Sequence, residues 1–248
     1  MQLQEFFKQN PRIAVAFSGG VDSSYLLYAA YSAGCDVHAY LINSEFQPQF
    51  EIDEAISIAK KLDVPLTICN LSILDKPDVV NNTQERCYFC KTHILNKLWE
   101  LAREDGYTIL CDGTNADDDE TDRPGMRALK EQGVISPIRL YGQGKQEIRR
   151  LSKQAGLPTH DKPAYACLAT RIHTGTAITQ EMLTKVERAE NALFSMGFSD
   201  FRVRYIPDNT AKIQMPADFW DEAAERRKEI NSALQSDFNS ILLDLTER

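Results

Sequence analysis

The chain has 248 residues, a formal net charge of -8, and 43% hydrophobic, 26% charged and 9% aromatic residues. That is the profile of a globular chain with one large domain, or a medium and a small one, and its core needs no disulfide staples. The acidic balance argues against long non-specific contact with nucleic acid, no run nears the roughly 18 apolar residues of a membrane span, and the N-terminus lacks a signal-peptide pattern. A cytoplasmic, reducing location is expected, where the six cysteines serve as thiols or metal ligands rather than as a disulfide framework.

In chain order, Ile13 to Phe17 reads as a buried strand and Ser23 to Ala33 as a helix closed by Gly34. Val37 to Ile42 is a second strand, and apolar residues at helical spacing mark a helix over Ile52 to Leu62. Leu66 to Leu71 is a third strand, Lys91 to Glu104 a helix, and Thr108 to Cys111 a fourth strand before an acidic loop. Ile135 begins a short fifth strand, and Lys145 to Ala155 is a helix. This alternation predicts an α/β fold with a doubly wound parallel sheet and ligands at the C-terminal strand ends. The pattern changes near His173. A helix over Thr179 to Met196, strands Phe201 to Ile206 and Ala211 to Met215, a helix over Ala217 to Leu234 and a strand Ile241 to Leu245 form a small α+β unit. The expected domains are 1–172 and 173–248.

The strongest local signal is Ser18-Gly19-Gly20-Val21-Asp22-Ser23-Ser24, set between a strand and a helix. Two adjacent glycines turn tightly and present bare N–H groups, and the helix points its positive end at the same spot. Hydroxyls of Ser18, Ser23 and Ser24 can bond phosphate oxygens, and Asp22 can cap the helix or help hold Mg²⁺. The loop has no lysine, so it is not the GxxxxGKS/T loop that grips β- and γ-phosphates.

Cys35, Cys69 and Cys111 sit in or beside apolar runs and read as core thiols. Cys87 and Cys90, in Arg86-Cys87-Tyr88-Phe89-Cys90-Lys91, differ. Two thiols three apart at a helix start can grip one metal or cluster, and the flanking Arg86 and Lys91 favour thiolate. By itself a CxxC fits half a zinc site, a redox pair or no site at all. Cys167 is the remaining candidate, in a Pro-containing loop with Lys162 and Arg171 nearby. Three cysteines can hold three irons of a 4Fe-4S cluster and leave the fourth open. Arg202 and Arg204 share one face of a strand and suit a substrate phosphate or a solvated surface. Asp112, Asn115 and Asp118 follow a strand end, and Arg123 and Arg127 can neutralise phosphate.

The SGGVDSS string resembles the PP-loop of the ATP pyrophosphatases. In that family ATP is split between its α- and β-phosphates, AMP is placed on a substrate oxygen, and a nucleophile then displaces it. Adenine is expected beside Asn43, where the second strand ends. The strings RCYFCK, DGTNADD, RPGMRAL, KQEIRRLSKQAGLP and KPAYACLATR, in that order, resemble the LarE sulfur transferases of nickel-pincer cofactor biosynthesis. The match runs nearly end to end. It implies ATP and Mg²⁺ as cofactors and a small nucleotide, pyridinium-3,5-biscarboxylic acid mononucleotide, as substrate, converted in successive turnovers to the dithio product. It implies a sulfide donor, no stable nucleic acid or membrane partner, and a homo-oligomer, hexameric in the family. Members either sacrifice a cysteine sulfur or use three cysteines around a 4Fe-4S cluster; Cys87, Cys90 and Cys167 point to the cluster type, and in the single-cysteine type Cys167 would be the donor. The resemblance assigns substrate contacts to Arg202, Arg204, Arg171, Thr170 and Arg123, and nucleotide contacts to Ser18, Gly19, Gly20, Asp22, Ser23, Ser24, Asn43 and Asn115. Thr170 stands where the family usually has Ser. The alternatives are a tRNA thiolation enzyme, an amide-forming synthetase, and a non-catalytic nucleotide- or zinc-binding module. The first needs a broad basic surface, and the synthetase leaves the cysteines unexplained.

Overall fold

The computed structural model describes residues 2–118 and 124–246. The chain divides into two compact units. The first holds the chain up to Ile73 together with Glu85–Ala164, and the second holds Leu74–Gln84 together with the chain from Tyr165 onward.

In the first unit, α1 (Gln2–Gln9) precedes β1 (Arg12–Ala16), α2 (Val21–Ser32), β2 (Asp36–Asn43), α3 (Gln49–Lys61) and β3 (Leu66–Asn70). After a segment of the second unit that carries α4 (Pro77–Val80), the chain adds α5 (Arg86–Glu104), β4 (Leu110–Asp112), α6 (Pro124–Glu131), α7 (Pro137–Leu140) and α8 (Lys145–Gln154). The sheet runs β3-β2-β1-β4, and every pairing is parallel. Alternate residues feed opposite faces, as a two-residue period requires. Ile13, Val15, Val37, Ala39 and Leu41 pack with α1, α2, α3 and α8. Ala14, Tyr40 and Ile42 pack with Leu95 and Leu98 of α5 and with Ala128 and Leu129 of α6. With both faces covered, the strands read as near-continuous apolar runs.

Two expectations for this unit change in detail. The fifth strand shrinks to a single bridge between Ile135 and Cys111, because Pro137 starts α7 two residues later. The α5 helix begins at Arg86 rather than Lys91, so Cys87 and Cys90 occupy its opening turns. The chain order changes direction at β1, with β2 on one side and β4 on the other, so the loops after β1 and β4 meet at the switch point where ligands bind such sheets.

In the second unit, α9 (Gln180–Ser195) is capped by Thr179, whose Oγ1 accepts from the Met182 N–H at 3.3 Å. β5 (Arg202–Ile206) and β6 (Thr210–Gln214) are antiparallel, and β7 (Ser240–Leu243) lies parallel to β6. The turn between β5 and β6 has Asp208 at φ 62° and Asn209 at φ 53°, the left-handed region these two residue types tolerate. The helix expected over Ala217 to Leu234 splits into a 3-10 turn (Ala217–Phe219), α10 (Trp220–Glu225) and α11 (Arg227–Leu234). Arg226 sits at the break, holding Glu222 and Glu229 and donating to the Met196 carbonyl at 2.7 Å. Leu193, Phe198, Phe201, Val203, Ile213 and Phe238 form the core of this unit.

The compact units part between Ala164 and Tyr165 instead of at 172, for a visible reason. Tyr165 and Arg171 both bond Glu190 of α9, so the turn between them is tied to the second core. Leu74–Gln84 joins the same unit through Asn82. Its buried side-chain Nδ2 donates to the carbonyls of His173 and Thr176, each at 2.9 Å, and its carbonyl accepts from the Gly175 N–H at 2.8 Å.

Candidate active site

The loop between β1 and α2 closes on itself through its hydroxyls. Ser18 Oγ and Ser23 Oγ are 3.1 Å apart, Ser23 Oγ donates to the Gly20 carbonyl at 3.3 Å, and the Gly20 N–H donates to Ser18 Oγ at 3.4 Å. Gly19 has φ +71°, and a Cβ there would lie 2.8 Å from Ala55 Cβ, so only glycine fits. The unpaired N–H groups at the start of α2 and the helix dipole then favour an anion at this place.

The loop after β4 forms the opposite wall. A Cβ on Gly113 would come within 2.6 Å of Ser23 N, so the two backbones touch at this glycine. Buried Asp112 stiffens the loop by accepting from Thr114 Oγ1 and Ser136 Oγ, each at 2.5 Å. Asp22 Oδ2 accepts from Lys145 Nζ at 2.6 Å and from Asn115 Nδ2 at 3.5 Å. Asp22 Oδ1 is buried with no hydrogen-bond partner among the described residues. A buried carboxylate oxygen left this way is costly and suits a cation or a donor from a ligand. Lys145 was not singled out in the sequence. It opens α8, where its own N–H donates to Asp117 Oδ2 at 2.6 Å. A Cβ on Gly144 would strike the Asp117 carboxylate at 2.7 Å, so Gly-Lys was the available signal.

Between these walls lies a cavity of about 330 Å³. Its lining combines polar residues, Ser18, Gly20, Asp22, Ser23, Thr114 and Asp118, with apolar ones, Tyr40, Ile42, Ile94, Leu95, Leu98 and Leu129. The polar set suits a phosphate chain and the apolar set a flat base. Lys91 also lines it. Four expected nucleotide residues stand apart from this lining. Gly19 packs on α3, Ser24 is fully buried with a hydroxyl unpartnered among the described residues, and Asn115 contacts Asp22. Asn43 donates across the strand ends to Asn70 Oδ1 at 2.9 Å, while Tyr40 and Ile42 supply the wall instead.

The cysteines divide as their settings dictate. Cys111 is buried on β4 and Cys35 is half-buried; burial pushes both thiols up. Cys69 packs at the edge of the core behind α5. Cys87 is exposed and Cys90 half-buried near the start of α5, and Arg86 Nη2 lies 3.7 Å from Cys87 Sγ. That setting fits thiolate ligands. Cys167 belongs to the second unit, directly before a 3-10 turn (Leu168–Arg171), and its carbonyl accepts from Thr170 Oγ1 at 2.8 Å. Among the described residues, no group of three or more His, Cys, Asp or Glu is assembled for a metal ion.

In the second unit Arg171 is 1% exposed. Its guanidinium grips Glu190 through two bonds of 2.9 and 3.0 Å and also donates to the carbonyls of Ala166 and Cys167. The structure thus gives Arg171 the task of shaping the Cys167 turn. Tyr165 donates to Glu190, and the guanidiniums of Arg171 and Arg202 lie over its ring, 4.4 and 4.7 Å from the ring centre. Burial, reinforced by Glu190, pushes the Tyr165 hydroxyl up. Arg202 is 4% exposed and donates to the Phe201 carbonyl at 2.6 Å. Arg204 donates to the Thr170 carbonyl and to Gln214 Oε1, both at 2.8 Å. With Thr170, His173 and Lys212, Arg204 borders a cavity of about 300 Å³. Arg127, on α6, lies over the Tyr88 ring and pairs with Glu85. Arg123 lies outside the described residues.

Comparison with known proteins settles the family. The family profile described as "Queuosine biosynthesis protein QueC" matches residues 12–92, the stretch that contains the phosphate loop. "Uncharacterized protein slr1717" of Synechocystis is 36% identical over 215 residues, 86% of this chain and 80% of that protein. "Pyridinium-3,5-bisthiocarboxylic acid mononucleotide synthase" of Lactiplantibacillus plantarum is 32% identical over 241 residues, 96% of this chain and 87% of that protein. The chain belongs to the LarE family. It is an enzyme of the PP-loop sulfurtransferase class, and the parallel sheet is the fold expected of that class. A "tRNA-specific 2-thiouridylase MnmA" of Pseudothermotoga lettingae is 29% identical over 189 residues, 61% of this chain and 54% of that protein. That likeness extends to the superfamily. No helix among the described residues is long and apolar enough to cross a membrane.

Proposed function

We propose that this LarE-family enzyme adenylates a carboxylate of pyridinium-3,5-biscarboxylic acid mononucleotide with ATP and inserts sulfur to give the thiocarboxylate. The observation that carries this reading is the cavity at the switch point. It joins a lysine-free hydroxyl loop, an apolar wall and the orphaned Asp22 Oδ1. Such a site suits ATP cleaved between its α- and β-phosphates. The substrate carboxylate oxygen bonds the α-phosphorus and pyrophosphate leaves, with charge on it met by the loop N–H groups and the α2 dipole. A sulfur nucleophile then adds at the carboxyl carbon, and AMP departs with the former carboxylate oxygen. Asp22 would hold Mg²⁺, which when bound offsets phosphate charge.

Cys87, Cys90 and Cys167 would hold the 4Fe-4S cluster. When bound, the cluster supplies an open iron able to carry the sulfide to be transferred. Arg202, Arg204 and Thr170 are the proposed substrate contacts, and Arg204 already borders a cavity of its own unit. The second unit is proposed to bind substrate and to support a homo-oligomer, in the cytoplasm. A tRNA substrate fits the 2-thiouridylase likeness over part of the chain, but the net charge of -8 disfavours it.

The test is anaerobic. Protein supplied with ATP, Mg²⁺, substrate and sulfide is expected to release pyrophosphate and AMP only when the mononucleotide is present, and Cys167→Ala is expected to lose sulfur insertion. Full insertion by Cys167→Ala contradicts both sulfur routes. A colourless, iron-free protein after anaerobic reconstitution contradicts the cluster.

A further inference from the structure

The phosphate loop contains no lysine, so any positive side chain for the nucleotide's phosphates must come from elsewhere. The acidic groups lining the cavity are already engaged. Asp22 holds Lys145, Asp112 accepts from Thr114 and Ser136, and Asp118 Oδ2 accepts from the Asn115 N–H at 3.0 Å. Lys91 lines the same cavity and is half-buried, and among the described residues it has no ion pair or hydrogen bond. Its neighbours along the helix face are Ile94, Leu95 and Leu98. An ammonium that faces the cavity with no anion of the protein beside it is free to pair with an incoming one.

The stem of Lys91 runs close beside α6. It passes Gly125 of α6, where an added Cβ would stand 3.3 Å from Lys91 Cδ. A side chain at that position would crowd the lysine, and glycine leaves its path open. From these observations we infer that Lys91 is the phosphate-binding cation of the nucleotide cavity, supplying from α5 the charge that the loop lacks. It sits next to Cys90 and one turn beyond Cys87 on the same helix. Its neighbourhood to the cysteines has a competing explanation, that Lys91 serves only to favour thiolate, and that explanation makes no demand on nucleotide binding.

This inference rests on the nucleotide reading above, and the test separates the two. Calorimetric titration of the full chain with ATP, AMP and adenosine is compared among wild type, Lys91→Gln and Lys91→Arg. Loss of a charged hydrogen bond is expected to weaken ATP and AMP about tenfold or more in Lys91→Gln while leaving adenosine unchanged. Lys91→Arg, which keeps the charge, is expected to retain most of the affinity. Wild-type affinity for ATP and AMP in Lys91→Gln overturns the role of Lys91 and leaves the nucleotide site standing. An equal loss for adenosine overturns it too, because the defect is then one of packing. A wild-type protein that binds none of the three overturns both readings.

Discussion

Glu190→Gln tests the ion pair that shapes the Cys167 turn. The Arg171 and Glu190 side chains are 0% and 1% exposed. Glu190 also accepts from the Val203 N–H at 2.9 Å and from Tyr165. The substitution keeps the shape and one acceptor but leaves the guanidinium buried with no counter-charge. Breaking one partner of a buried pair costs about 3–5 kcal/mol. For a unit of this size, each kcal/mol lowers the midpoint by about 4 °C or more, so the second unit should melt at least about 12 °C lower. Trp220 lies in the second unit and Trp99 in the first, so a Trp99→Phe background makes Trp220 fluorescence report the second unit alone. Replacing both charges, Arg171→Met with Glu190→Gln, should recover part of the loss, because no charge is then stranded and the amide oxygen can still accept from the Val203 N–H. A loss below about 1 kcal/mol in Glu190→Gln would refute the reasoning and return Arg171 to the pool of substrate contacts.

Two further outcomes follow from the geometry. Gly113→Ala places a Cβ 2.6 Å from Ser23 N, so the loop after β4 must withdraw from the phosphate loop. Titration should then show ATP binding weakened about tenfold or more with the far-UV circular dichroism unchanged, and wild-type affinity would contradict the packing argument. Lys212, the Thr246 N–H and Gln214 hold the Asp244 carboxyl well below its usual range. The stabilisation they lend is full above the ordinary value of 3.8 and is lost as pH falls through the depressed one. Acid titration of Trp220 fluorescence should therefore show stability falling below that value more steeply in wild type than in Asp244→Asn, and identical slopes would contradict the linkage.

The parts of this molecule legible in the sequence are those built from neighbours in the chain. The phosphate loop, the apolar strands and the glycine that ends α2 are local, and each occupies the place its chemistry predicts. The fifth strand is not legible, because Pro137 cuts it to one bridge. Nor is the break at Arg226, which rests on a bond to the distant Met196 carbonyl. The missing site residues are long-range in the same sense. Lys145 meets Asp22 across 123 positions, and Asn82 reaches the 172–176 loop from an excursion in the other unit's sequence. The setting of Arg171 is hidden for a related reason. Beside a cysteine it looks like a substrate contact, and only Glu190, 19 positions later, shows that its charge is already matched inside the protein.

The most direct measurement is the mass of the mononucleotide product. Anaerobic protein with ATP, Mg²⁺, sulfide and pyridinium-3,5-biscarboxylic acid mononucleotide should yield a product heavier by an oxygen-to-sulfur exchange, with one AMP and one pyrophosphate formed for each sulfur inserted. Sulfur insertion that continues without ATP, or AMP formation with no change in product mass, would contradict the account.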